Sequence, residues 1–225
     1  MQDRIRIRRF GLTEYPVAFK AMGRFNAGQS AHAIDEIWCL QHLPVYTLGM
    51  AGRREHIIRS GDIPVVETDR GGQVTYHGPG QLVVYLLLDL KRRRLMVKQY
   101  VHLIEQSLID LCASLGITAN RKQAAPGVYV CGKKIAALGI RVKRGCAYHG
   151  LALNVDMDLG PFQAIHPCGF PGLQVTQLAD EGCKIGIDEA VDCLLPFLLK
   201  NLDYRYPEYP ENCNSLSALV NSMAA

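Results

Sequence analysis

The stretch "KKIAALGIRVKRGCAYHGLALNV", residues 133–155, reads as two strands joined by a tight turn. The segments "KKIAALGIRV" and "CAYHGLALNV" flank "KRG", where Gly145 supplies the positive φ that a hairpin turn favours. N-terminal to this hairpin, "QLVVYLLL" (81–88) is apolar at nearly every position and reads as a central strand buried on both faces. Further out, "RIRIRRF" alternates, with Ile5 and Ile7 on one face, and reads as an opening strand. "DEIWCLQH", "VYTLG" and "PVVET" (64–68) read as short strands punctuated by Pro44 and Gly49. Helical spacing appears at three places. Val17, Ala21, Met22 and Phe25 predict a helix over 14–26 with Thr13 as its cap. Leu95, Val101, Ile104, Leu108, Leu111, Cys112 and Leu115 predict a long amphipathic helix that ends at Gly116. A third helix is expected over 187–200, with Pro196 as a candidate kink. Strands and helices do not alternate strictly, so the fold class is α+β. The expectation is a single domain over 1–225, a mixed and mostly antiparallel sheet flanked by helices. The tail after Pro210 is polar and small-residue-rich and is expected to be loosely ordered.

Composition excludes several classes. Apolar residues make up 48% of the 225, enough for a sizeable core. The formal charge, 25 minus 21, is +4, too small to imply nucleic acid by itself. The opening "MQDRIRIRRF" lacks the apolar core of a secretory signal, and the longest apolar run, "LVVYLLLDL" (82–90), is far short of the ~20 residues of a membrane helix. The eight cysteines form no C-x-x-C pair and read as reduced thiols of a cytoplasmic protein, with no metal site and no membrane partner.

Several features could carry chemistry. Cys168 stands in "AIHPCGF" (164–170) between Pro167 and Gly169, a turn rather than a packed strand or helix. Strand alternation puts Lys134 on the more apolar face of 133–142, with Ala136, Leu138, Ile140 and Val142. A lysine there is costly unless paired, or else it snorkels to water from the strand end. "RGGQVTYHGPGQ" (70–81) combines Arg70 and His77 with four glycines whose backbone can approach a ligand closely. It matches neither G-x-x-x-x-G-K-[ST] nor G-x-G-x-x-G, so a nucleotide-phosphate loop lacks its motif. His149 shares a face with Leu151, Leu153 and Val155, a setting in which a histidine is more often a satisfied core residue. His166 could pair with the thiol, although sequence neighbours often point apart. The basic runs "KRRR" and "VKRG" read as solvated turns or as a docking face for an acidic carrier.

Taken in order, "DEIWCLQHLPVYTLG", "RGGQVTYHGPGQLVVYLLLDL", "GVYVCGKKIAALGIRVKRGCAYHGLALNVDMDL" and "IHPCGF" resemble the octanoyltransferases of lipoate biosynthesis. The resemblance implies the fold shared by lipoate- and biotin-protein ligase catalytic domains. It implies transfer of an octanoyl group from acyl carrier protein to a lysine of a lipoyl domain. Acceptors would be the 2-oxoacid dehydrogenase acyltransferase subunits and the glycine-cleavage H protein. The family's catalytic cysteine and lysine fall on Cys168 and Lys134. Its substrate-contact positions fall on Arg70, Gly71, Gly72, His77, Gly139, His149, Gly150 and Ala152. The family usually reads Asn-Pro-Cys-Gly at the cysteine, whereas His166 stands here in place of that asparagine.

The chemistry implied is coherent. Exchange of one thioester for another is near thermoneutral, aminolysis to an amide runs downhill, and neither step needs ATP or another cofactor. A free thiol has a pKa near ~8.5, so the nucleophile needs a proton acceptor, a part that Lys134 could take. Alternatives on the same residues are an ATP-dependent lipoate-protein ligase, a non-catalytic acyl-carrier-binding module, and a cysteine thioesterase.

Overall fold

A computed structural model describes residues 4–28, 33–167, 172–210, 215–216 and 218–219. Cys168 and Gly169, and with them the expected reactive turn, lie outside the described residues.

The strand that reads as central is central. β6 (Gln81–Asp89) is buried along almost its whole length. Its side chains alternate between two cores. Leu82, Val84, Leu86 and Leu88 enter one cluster, and Val83, Tyr85 and Leu87 enter the other. Around it, β1 (Arg4–Thr13), β2 (Asp35–His42), β7 (Asn120–Arg121), β8 (Gly127–Val130), β9 (Lys133–Lys143), β10 (Cys146–Asn154) and β11 (Tyr206–Glu208) complete an eight-stranded sheet. The order is β11-β1-β2-β6-β10-β9-β8-β7. Only β11/β1 and β1/β2 are parallel, so the sheet is mixed and mostly antiparallel, as the sequence predicts. A smaller sheet joins β3 (Val45–Leu48) to β4 (Val65–Glu67) and β5 (Val74–His77). β5, four residues set among glycines, gives no strand signal in the sequence.

Helices cover both faces. α2 (Val97–Ser114) and α3 (Ile187–Asn201) lie over one. On α2, Tyr100, Ile104, Leu108 and Leu111, spaced by four, four and three residues, form a stripe into the larger core. Burying each is worth roughly 1.5–3 kcal/mol. α2 ends at Gly116, with φ +77. The Ile117 N–H bonds Cys112 C=O and the Gly116 N–H bonds Ala113 C=O, the paired bonds of a Schellman stop. Pro196 lies inside α3.

α1 (Tyr15–Ala27) lies over the opposite face, packing Ala18, Ala21 and Met22 against Trp38 and Leu40. Thr13 does not cap it. Thr13 is the last residue of β1, paired with His42, and its hydroxyl donates to Gly11 C=O. Pro16 in the first turn sets the helix entry instead. Of the tail, the described Leu216 and Leu219 are buried in the α1-side cluster.

Candidate active site

β8 pairs with β9 only from Val130↔Lys133 to Gly127↔Ala137. Beyond Ala137 the outer edge of β9 receives the glycine-rich segment, where the Gly71 N–H donates to Ile140 C=O at 3.1 Å. A Cβ at Gly71 would sit 2.9 Å from that same oxygen, so only glycine allows the approach. Between this segment, β9 and the helices lies a cavity of about 580 Å³, of the size that holds small ligands. Register sets its small-residue rows. Ala137 pairs with Ala152, which pairs with Val83, and Gly139 pairs with Gly150, which pairs with Tyr85. Arg70, Gly71, Gly72, His77 and His149 line the same cavity, and so does Lys134. Lys134 and all eight proposed contact residues therefore meet in one space, although they come from three separate stretches of chain.

Lys134 is buried, with Nζ 3.1 Å from Pro126 C=O and 5.2 Å from the centre of the Tyr129 ring. The face assigned by simple alternation is not the one found. Tyr129 pairs with Lys134 and the adjacent Val128 pairs with Ala136, so Ile135 is the extra residue of a β-bulge. Ile135 and Ala136 both enter the large core, while Lys134 lies against Tyr129 and Gly127. A second cavity, about 10 Å³ and large enough for one water, is lined by Lys134, Thr75, Gln81, Asn154 and Pro167. Pro167 is the residue before Cys168, so the described chain leads up to position 168 from beside Lys134.

His166 is held on the approach to that position. Its N–H donates to His56 C=O at 2.7 Å, its ring lies 6.2 Å from that of His56, and His56 Nδ1 is 3.1 Å from Gln73 Oε1. A pairing of His166 with the Cys168 thiol lies outside the described residues.

Alternation also misplaces His149. It has φ +61 inside β10, a left-handed conformation that costs energy in a non-glycine residue. The β10/β6 pairing lapses at Tyr148 and His149. The ring turns to the α1 side, stacked on Tyr148 at 4.9 Å and on Phe19 at 5.8 Å. Its Nε2 meets Asp69 Oδ1 at 2.9 Å, and the Tyr148 hydroxyl donates to the other Asp69 oxygen. Burial lowers the His149 pKa to about 4 despite the opposing pull of Asp69. Asp69 was not singled out from sequence, although its place directly before "RGG" was a signal.

His77 is lowered to about 3, first by burial and then by the nearby His42 and Arg70. It is therefore a neutral ring at physiological pH. Nδ1 lies 2.7 Å from Gln81 Oε1 and Nε2 3.3 Å from Thr47 Oγ1. Arg70 donates to Thr47 Oγ1, Thr47 C=O, Gln73 C=O and Gly71 C=O, and so shapes the glycine-rich segment from within. His42, against Tyr85 and Thr13, is likewise lowered to about 4 by burial. Neither a metal-binding group of three nor a helix able to cross a membrane occurs among the described residues.

Comparison with known proteins agrees with this arrangement. Residues 20–198 match the family described as the lipoyl protein ligase A/B catalytic domain. An octanoyltransferase of Dechloromonas aromatica is 55% identical over 199 residues, covering 88% of this chain and 97% of that one. One from Pseudomonas syringae pv. tomato is 52% identical over 204 residues, covering 91% and 94%. Among solved structures, lipoate-protein ligase A bound with ATP superposes with TM-score 0.77 at 14% identity, over 99% of this chain and 93% of that one. A bi-partite lipoate protein ligase from Thermoplasma acidophilum gives 0.72 at 16%, over 96% and 91%. At such identities the structural likeness speaks for the fold alone.

Proposed function

The chain belongs to the lipoyl protein ligase A/B catalytic-domain family, on its octanoyltransferase branch, and from that premise we propose how its octanoyl transfer proceeds. The donor is octanoyl-acyl carrier protein and the acceptor a lysine of a lipoyl domain, on 2-oxoacid dehydrogenase acyltransferase subunits or the glycine-cleavage H protein. The compartment is the cytoplasm, where unpaired cysteines persist.

Cys168 gives its proton to Lys134 and attacks the donor's thioester carbonyl. The tetrahedral adduct collapses, the carrier thiol leaves with the proton returned by Lys134, and an octanoyl thioester remains on Cys168. The acceptor amine then attacks this thioester. Cys168 leaves as thiolate, Lys134 takes the amine's proton and returns it to that thiolate, and an amide is formed. The acyl chain, about 10 Å long by standard bond dimensions, runs from Lys134 to the Ala137–Ala152 row, three residues or about 10 Å along the strand. It stops short of His149, because the six residues from Lys134 to Ile140, the partner of His149, span about 20 Å of strand.

The observation that carries this reading is the buried Lys134 lining both the large cavity and the small one that Pro167 also lines. The test supplies purified protein and apo lipoyl domain with either octanoyl-carrier and no ATP, or free octanoate and ATP. Octanoylation in the first mixture alone is expected. Octanoylation in the second alone would make the protein a ligase, and free octanoate released from the carrier without an acceptor would make it a thioesterase.

A further inference from the structure

Seven buried polar residues join the glycine-rich segment to Lys134 in one series of hydrogen bonds. Arg70 Nε and Nη2 donate to Thr47 Oγ1 at 3.0 and 2.9 Å. With two donors received, the Thr47 hydroxyl turns its own proton to His77 Nε2. His77 therefore carries its proton on Nδ1 and donates to Gln81 Oε1 at 2.7 Å. Gln81 Nε2 donates to Asn154 Oδ1 at 2.9 Å, and Asn154 Nδ2 donates to Thr176 C=O at 2.9 Å. Reversing the Asn154 amide would set its oxygen against that carbonyl, so the series has one direction.

Its far end is a clamp on the lysine's backbone. The Lys134 N–H donates to Gln174 C=O at 2.9 Å, and the Thr176 N–H donates to Lys134 C=O at 3.0 Å. Residues 174–176 thus run as a short parallel strap beside Lys134, and the Asn154 side chain ties that strap to β10. Gln81 and Asn154 also line the small cavity that Lys134 and Pro167 share.

We propose that Asn154, backed by Gln81, is a positioning residue: it holds the strap that sets Lys134 in register for proton transfer. The inference rests on the reading of Lys134 as the proton carrier. Asn154 touches no reacting atom. Its effect reaches the chemistry only through the lysine, and misplacement of a catalytic group by about 1 Å costs on the order of 100-fold in rate.

The experiment is a double-mutant cycle on single-turnover octanoyl transfer from carrier to apo lipoyl domain, using the full chain. Asn154→Ala is expected to slow the maximal single-turnover rate by roughly 10- to 100-fold with the carrier concentration for half-maximal rate unchanged. In a Lys134→Ala background the same substitution is expected to add no further loss, since both act through one group. Asn154→Asp keeps the volume and the Gln81 contact but opposes an oxygen to Thr176 C=O, and should slow transfer similarly while the protein stays folded. A normal rate in Asn154→Asp, or losses that multiply in the double variant, would overturn the proposal. Full activity in Lys134→Ala would instead overturn the underlying reading of the lysine.

Discussion

The two ends of the cavity are built by different means. At the Lys134 end the backbone does the holding: a bulged strand edge, a strap bonded on both sides of the lysine, and a polar series in which each partner is satisfied. At the His149 end side chains do it: a ring in a left-handed backbone, stacked on Tyr148 and Phe19 and bonded to the partly exposed Asp69. Backbone ladders fix position to fractions of an ångström, as a reacting group requires. Stacked rings adjust, which suits the wall of a binding space rather than a reacting group. On the proposed mechanism, chemistry belongs at one end and fit at the other.

Four variants or conditions can break or sharpen that contrast, beginning with the largest effect. Lys134→Arg keeps the charge but cannot give up a proton at neutral pH, so acyl transfer should fall by about 10²- to 10⁴-fold with folding intact. A rate within a few fold of the unsubstituted protein would remove the lysine from proton transfer. Next, Gly150→Ala places a Cβ 2.0 Å from Val84 C=O in the central strand. Strand repacking should cost about 3 kcal/mol, read as a lower urea midpoint at unchanged slope. An unchanged midpoint would mean that the sheet yields there. Ala152→Val narrows the row nearest Lys134, and should lower kcat/KM for octanoyl donors by about 10-fold while sparing butanoyl ones. Equal losses for both chain lengths would place the acyl chain elsewhere.

The gentlest probe is pH. His42, His77 and His149 are all held below the ordinary 6.5, at about 4, 3 and 4. Between 6.5 and those values the unfolded chain binds more protons than the folded one. Stability is therefore fully present above 6.5 and is lost as pH falls toward 4, each histidine adding a slope of up to about 1.4 kcal/mol per pH unit. A denaturation midpoint that stays flat from neutral pH to about pH 5, or NMR signals of His42, His77 or His149 that titrate near 6.5 in the folded protein, would contradict the burial described.

Much of this was legible in the sequence. β6 announced itself because burial on both faces demands an apolar residue at every position. The β9–β10 hairpin did so through its two alternating strands and Gly145. The nine described site residues, drawn from three motifs, do line one cavity. What escaped was local irregularity. Period 2 cannot foresee the bulge at Ile135 that turns Lys134 away from Ala136, nor the left-handed His149 that leaves the face of Leu151. Asn154 and Gln81 passed unnoticed because a buried amide at a strand end looks like any boundary residue until its partners are known. Asp69 and Thr176 escaped for the same reason, as their meaning lies in contacts made across 80 and 22 positions of chain.

The proposed mechanism requires a covalent octanoyl-enzyme on Cys168. It is tested most directly by intact-protein mass spectrometry with peptide mapping, after mixing the protein with octanoyl-acyl carrier protein in the absence of ATP. One octanoyl mass on Cys168 is expected, vanishing when apo lipoyl domain is added. Full transfer to the lipoyl domain by Cys168→Ala, with no adduct on the unsubstituted protein, would contradict it.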